Sequence, residues 1–241
     1  EAHWLPARER DYLVTTLAAE RAAKQAEAPV SKAPVKDVFG NAGLMKLVIL
    51  NFFYQTGDYG YTLWLPTILK GLTGGNMASV GFLAVLPFVA TLAGIYVISL
   101  FSDHSGKRRL WVRFSLYSFA AALVASVVLR DQMVAAYIAL VICGFFLKSA
   151  TSPFWSMPGR IASPEVAGSA RGVINGLGNL GGFCGPYLVG VMMYLYGQNV
   201  AVCALAGSLI IAGTMTFLLP KQCDLVDSDS DVAIKNQPRN A

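Results

Sequence analysis

From residue 44 onward this chain is built of six long apolar segments joined by short polar connections, and few architectures accept that pattern. The segments run near 44–69, 78–101, 110–129, 133–156, 170–194 and 199–219. At about 1.5 Å per helical residue, each is long enough to cross roughly 30 Å of hydrocarbon. The connections fall at Gly71–Met77, Asp103–Arg109, Arg130–Gln132, Pro158–Ser169 and Gly197–Gln198. Hydrophobic residues make up 55% of the 241 and charged residues only 14%, where a soluble domain carries about 25% charge. Mean hydropathy is +0.51. The charges crowd into residues 1–37, 103–113 and 221–241, which is the distribution expected of membrane spans and their loops.

Three stretches flank or interrupt the bundle. Residues 1–42 are polar: His3–Glu20 spaces Trp4, Leu5, Tyr12, Leu13 and Leu17 as a short surface helix would, and Ala28–Pro34 reads as a linker. Residues 43–220 form the bundle. Residues 221–241 are acidic and polar, a composition that predicts a disordered tail. The chain begins at Glu1 without an initiator Met, so it reads as part of a longer protein.

Orientation follows from lysine and arginine alone. One side receives Arg8, Arg10, Arg21, Lys24, Lys32, Lys36, Lys107, Arg108, Arg109, Arg160, Arg171, Lys221, Lys235 and Arg239, and the other only Lys70 and Arg130. Both termini are therefore expected on the cytoplasmic side, and an even number of spans agrees. The net charge of +5 is explained by this topology. No basic run is interleaved with aromatics, so nucleic acid is not a predicted partner. Cys143, Cys184, Cys203 and Cys223 form no CxxC and have no histidine near them, so neither metal nor disulfide is predicted. His3 and His104 lie outside the spans, and no paired carboxylates lie within them, which argues against a membrane enzyme. No cofactor is predicted.

Two ionisable residues fall well inside spans: Asp58 in the first and Lys148 in the fourth. A charge at that depth costs at least ~2.5–3.5 kcal/mol, so each needs a partner or a hydrated cavity. Asn51, Tyr54, Gln55 and Asp58 recur at helical spacing as one polar stripe, and Lys148 shares a face with Ser152 and Trp155. Two readings stand. In one, both stripes line a water-filled substrate path; in the other, Asp58 and Lys148 form a structural pair that touches no ligand. Several polar groups exceed what one ion pair needs, which favours the path. Lysine suits an anionic ligand, and Asp58 is a candidate carrier of a coupling proton.

The fifth span repeats Gly168, Gly172 and Gly176 every four residues, predicting a face for close helix contact. Arg171, Asn175 and Asn179 repeat on a neighbouring face. The two asparagines could serve as interhelical glue or as cavity amides for hydroxyls and carboxylates. No strand precedes this glycine run, so it is not a dinucleotide fingerprint.

The loop Ser102-Asp103-His104-Ser105-Gly106-Lys107-Arg108-Arg109 resembles the D-R-x-G-R-R/K signature of the major facilitator superfamily, with His104 in place of the usual Arg and Ser99 where a Gly often begins the motif. Tyr12-Leu13, Tyr59-Gly60…Trp64-Leu65-Pro66 and Gly176–Pro186 are similar to the anion:cation symporter family of that superfamily, over roughly residues 1–220. Within it the chain resembles bacterial permeases for sugar acids and other small organic anions.

The resemblance implies an all-α membrane protein, with six transmembrane helices forming the C-terminal half, a 3+3 inverted repeat, of a twelve-helix fold. Residues 1–42 would be the central cytoplasmic loop. The seventh and tenth helices, carrying Asp58 and Lys148, would line the central cavity, with Asn175 and Asn179 of the eleventh flanking it. Asp103, Gly106, Lys107, Arg108 and Arg109 would form the conformational-switch loop. The implied partners are a small carboxylate, protons, membrane lipid and the missing N-terminal half, in a bacterial inner membrane. The rival implication is a transporter-like sensor that binds without flux.

Overall fold

A computed structural model describes residues 14–16, 35–163 and 166–224. Apart from 14–16, which are helical, the surface helix expected over His3–Glu20 lies outside the described residues, as do the Ala28–Pro34 linker and the tail beyond 224. Among the described residues there is no strand. The chain forms α1 (Val35–Gly40), α2 (Ala42–Thr73), α3 (Met77–Ser105), α4 (Arg108–Val128), α5 (Met133–Leu147), α6 (Thr151–Ser156), α7 (Pro158–Ile161), α8 (Ala167–Tyr196) and α9 (Gln198–Met215). Two 3-10 turns follow, Thr216–Leu218 and Lys221–Cys223.

Local chemistry sets the ends of the long helices. Asn41 caps α2 by accepting from the Gly43 and Leu44 amides at 2.9 and 3.2 Å, and Asn76 caps α3 through the Ser79 amide at 2.9 Å. Gly74 and Gly106 terminate the same helices at φ +62° and +66°, the left-handed region that glycine enters at little cost. The connections are therefore shorter than the sequence predicts: α2 continues through Gly71 to Thr73, and α3 through Asp103 to Ser105.

Among the described residues, four helical stretches are long and apolar enough by composition to cross a membrane: Met77–Ser105, Arg108–Val128, Met133–Ile161 and Gln198–Leu218. The other two long helices, α2 and α8, match them in length, with 32 and 30 residues. They hold the polar stripe and the glycine–asparagine run, which lower their hydropathy. The exterior is apolar, with Phe82, Leu92, Val134 and Tyr194 strongly exposed. The interior holds Leu47, Leu50, Tyr61, Leu116, Phe119, Leu123 and Phe154, with the Tyr61 and Phe119 rings edge to face at 5.4 Å. A surface that apolar suits lipid as its solvent.

The helix pairings have an internal order. α2 packs on α8 and α9, α5 packs on α3 and α4, and α4 packs on α9. Exchanging α2, α3 and α4 with α5, α8 and α9 returns these five pairings, while the contact between α2 and α3 has no comparable counterpart between α5 and α8. Both principal crossings rest on glycine. A Cβ on Gly181 or Gly185 would run into the Phe52 or Thr56 carbonyl oxygen of α2. One on Gly94 or Gly144 would strike the Phe145 or Pro87 carbonyl oxygen. Thr91 Oγ1 donates across the second crossing to the Gly144 carbonyl at 2.9 Å.

This corrects the expected glycine face. Gly168, Gly172 and Gly176 meet nothing within 4 Å. The contact face of α8 is Gly178, Gly181 and Gly185, because the two rows interleave on one helix and only packing selects between them.

Candidate substrate site

The fourth apolar segment is broken where Lys148 stands. α5 stops at Leu147 and α6 starts at Thr151; between them Lys148 adopts φ −111° and ψ 3°, and the Thr151 amide bonds the Lys148 carbonyl at 3.0 Å. Pro153 has no N–H to return to the Ser149 carbonyl, which weakens the helix at this point. The Leu147 carbonyl, released from the ladder, accepts the Tyr54 hydroxyl at 2.8 Å, and Tyr54 Oη lies 3.1 Å from Thr151 Oγ1. The break is thus stitched to α2.

Beside it, Lys148 Nζ donates to Asp58 Oδ2 at 2.6 Å. The pair is lopsided: the Asp58 side chain is 2% exposed and that of Lys148 is 38% exposed. Lys148 Nζ also lies 5.6 Å above the centroid of the Tyr59 ring, a cation–π distance. The two charges do meet, as the structural reading expected, and one end of the pair stays open.

Tyr59 continues this open surface towards α8, where a Cβ on Gly182 would come within 2.9 Å of its ring. One turn earlier, Gln55 Nε2 donates to Asn179 Oδ1 at 2.7 Å, and Asn179 Nδ2 donates to Asn175 Oδ1 at 3.0 Å. Lys148 at the α5–α6 break, Tyr59 and Gln55 one turn apart on α2, and Asn179 and Asn175 on α8 therefore lie along one polar strip. Ser152 and Trp155 are half-buried on α6, with the Trp155 ring edge to face on Phe154 at 5.2 Å.

The expected single stripe on α2 is corrected into two. Asn51, Tyr54 and Asp58 point into helix contacts, with Asn51 Nδ2 donating to the Ile174 carbonyl at 3.0 Å. Gln55 and Tyr59 face outward. Tyr59 was missed in the sequence, although it stands four residues after Gln55 and so shares its face.

In the loop, Gly106 makes the left-handed turn and Arg108 Nη2 sits 3.4 Å from Asp103 Oδ1. Lys107 is exposed. Arg109 is drawn elsewhere: its amide and Nε donate to Asp224 Oδ1 and Oδ2 at 2.9 and 2.7 Å, and its Nη1 to the Leu219 carbonyl at 2.9 Å. Lys221–Asp224, expected in the disordered tail, is ordered against this loop, a correction that the Arg109 bonds explain.

Among the described residues no cluster of histidine, cysteine, aspartate or glutamate could hold a metal. The family model of the Major Facilitator Superfamily matches residues 47–229, and the chain belongs to that superfamily. It is a multi-pass membrane protein, and its relatives are transporters, not enzymes. A quinolone resistance transporter of Acinetobacter baumannii is 34% identical over 159 residues, covering 65% of this chain and 36% of that protein. A protein of Agrobacterium vitis, provisionally named a tartrate transporter, is 29% identical over 222 residues, 92% of this chain and 48% of its own length. The "Probable galactarate/D-glucarate transporter GudP" of Bacillus subtilis is 24% identical over 211 residues, 86% of this chain and 45% of its own length. The chain spans half or less of each relative.

Proposed function

We propose that this chain is the C-terminal six-helix half of a proton-coupled symporter for a small organic anion, working by alternating access. One observation carries the reading: a membrane-embedded lysine, held at a helix break and open on one side, continues into a strip of amides and a tyrosine. A carboxylate would meet Lys148, and its hydroxyl or second carboxylate groups would meet Gln55, Asn179 and Asn175. The relatives named for tartrate and for galactarate/D-glucarate support that substrate class. The exchange symmetry of the helix pairings supports a 3+3 repeat with six spans, the lysine and arginine bias supports cytoplasmic termini, and the bacterial relatives support a bacterial inner membrane. The Asp103–Arg108 pair in its glycine turn would latch one conformation as the halves rock.

Uptake of labelled tartrate and D-glucarate by vesicles holding the full-length protein tests this. Lys148→Ala is expected to lower uptake at limiting substrate by roughly 30-fold or more, the loss of one desolvated charge contact. Undiminished uptake in that variant removes the lysine from the site. Binding without flux in the wild type would favour the sensor. A second reading, drug export, rests on the Acinetobacter baumannii relative; the same vesicles loaded with a quinolone and holding no tartrate activity would favour it.

A further inference from the structure

The Asp58–Lys148 contact carries more than a substrate lysine requires. Asp58 Oδ2 takes the Lys148 ammonium, while Asp58 Oδ1 is buried with no hydrogen-bond partner. The groups around the carboxylate are otherwise committed or uncharged. On α2, the Tyr54 hydroxyl is held by the Leu147 carbonyl and Thr151, and the Tyr61 hydroxyl donates to the Leu140 carbonyl at 2.7 Å. On the α9 side, Leu209 and Leu205 pack against Gly57 and Gly60. α9 contains no charged residue, α3 none before Asp103, and the Arg171 of α8 stands near its other end. Lys148 is therefore the only cation placed to neutralise Asp58 among the described residues, and its exposed side is the one a ligand would approach.

We propose that Asp58 is an exchangeable counter-ion and the proton site of this half. A substrate carboxylate arriving at the open side takes the Lys148 ammonium from Asp58. A buried carboxylate stripped of its partner is strongly disfavoured, so Asp58 accepts one proton from the same aqueous side. The charges balance. Before exchange, the ammonium neutralises Asp58; afterwards it neutralises the substrate carboxylate, and Asp58 is a neutral acid. One proton enters with each carboxylate bound at Lys148, and release of both restores the pair. The unpartnered Oδ1 gives that proton a place which the lysine does not already occupy. This rests on Lys148 being the carboxylate contact.

The test uses the full-length protein with tartrate as probe, in proteoliposomes and in weakly buffered detergent with a pH dye. Wild type is expected to accumulate tartrate when the outside is acid, and in detergent to take up about one proton per tartrate bound. Asp58→Asn is expected to lower the half-saturating tartrate concentration in counterflow by about tenfold, since the lysine is released from its competitor. The same variant loses accumulation driven by the pH gradient. Gradient-driven accumulation retained in Asp58→Asn overturns the proposal while leaving the lysine contact standing. Should that variant not yield folded protein, the wild-type titration still decides, because no proton uptake on tartrate binding overturns the proposal. If Lys148→Ala transports as wild type does, or wild type neither binds nor moves tartrate or D-glucarate, the parent reading fails and this one falls with it.

Discussion

Arg109 and Asp224, 115 positions apart, are joined through both carboxylate oxygens, one taking the arginine amide and the other its Nε. Arg160 Nη1 reaches the Asp224 carbonyl at 3.5 Å. The segment after α9 thereby ties the start of α4 to the end of α7. With the side chains 18% and 23% exposed, the tie is partly shielded from water. Asp224→Ala should cost about 1–3 kcal/mol, read as a lower unfolding midpoint in detergent.

The same strap shelters a thiol. Cys223 is fully buried, and burial pushes its thiol up to about 11; Arg109 pulls it down and Asp224 pushes it up by smaller amounts. Its ordinary value is 9.0, so the folded state prefers the protonated form. That contribution to stability is intact below pH 9 and is lost as pH rises towards 11. Maleimide should label Cys223 slowly at pH 8 and faster once Asp224→Ala loosens the strap. Equal labelling rates in both proteins would contradict the burial.

Glycine substitutions separate contact faces from open ones. Gly181→Ala and Gly94→Ala each place a methyl against a backbone carbonyl that cannot rotate away, and overpacking of that kind costs about 1–3 kcal/mol. Gly207→Ala, where nothing lies within 4 Å, should be neutral or gain up to about 1 kcal/mol from helix propensity. Thermal unfolding of the purified variants ranks them.

Tyr54→Phe removes the hydroxyl that holds the released Leu147 carbonyl. A buried acceptor left unpaired costs about 1–3 kcal/mol. The variant should unfold at lower temperature and exchange backbone amides near Thr151 faster, measured by hydrogen–deuterium exchange. Unchanged exchange there would mean that the break is held by something other than Tyr54.

Features with a local cause were legible in the sequence. Asp103, Gly106 and Arg108 lie within six residues, and their loop geometry is what the motif's chemistry demands. Asp58 and Lys148 stood out because charge is scarce in hydrocarbon, although only packing decided that they meet. The features that escaped depend on distant partners. Asp224 looked like one more acid in a polar tail because its arginine is far away in sequence. The helix break at Lys148 was hidden inside a continuous apolar run, since Pro153 signals a weak point without fixing its place. Asn51 and Gln55 share a helical stripe by spacing, yet Asn51 bonds the Ile174 carbonyl inside the contact with α8 while Gln55 meets Asn179 at its exposed edge.

The gap between α5 and α6 bears on where the lysine can go. The Lys148 and Ser149 amides both turn back to the Phe146 carbonyl instead of bonding four residues earlier, so a bend at this joint has less of the regular ladder to break than a bend elsewhere in the span. Lys148 rides on that joint. A bend of the main chain at this joint would move the charge as well, a reach that side-chain rotation on an unbroken helix would not supply.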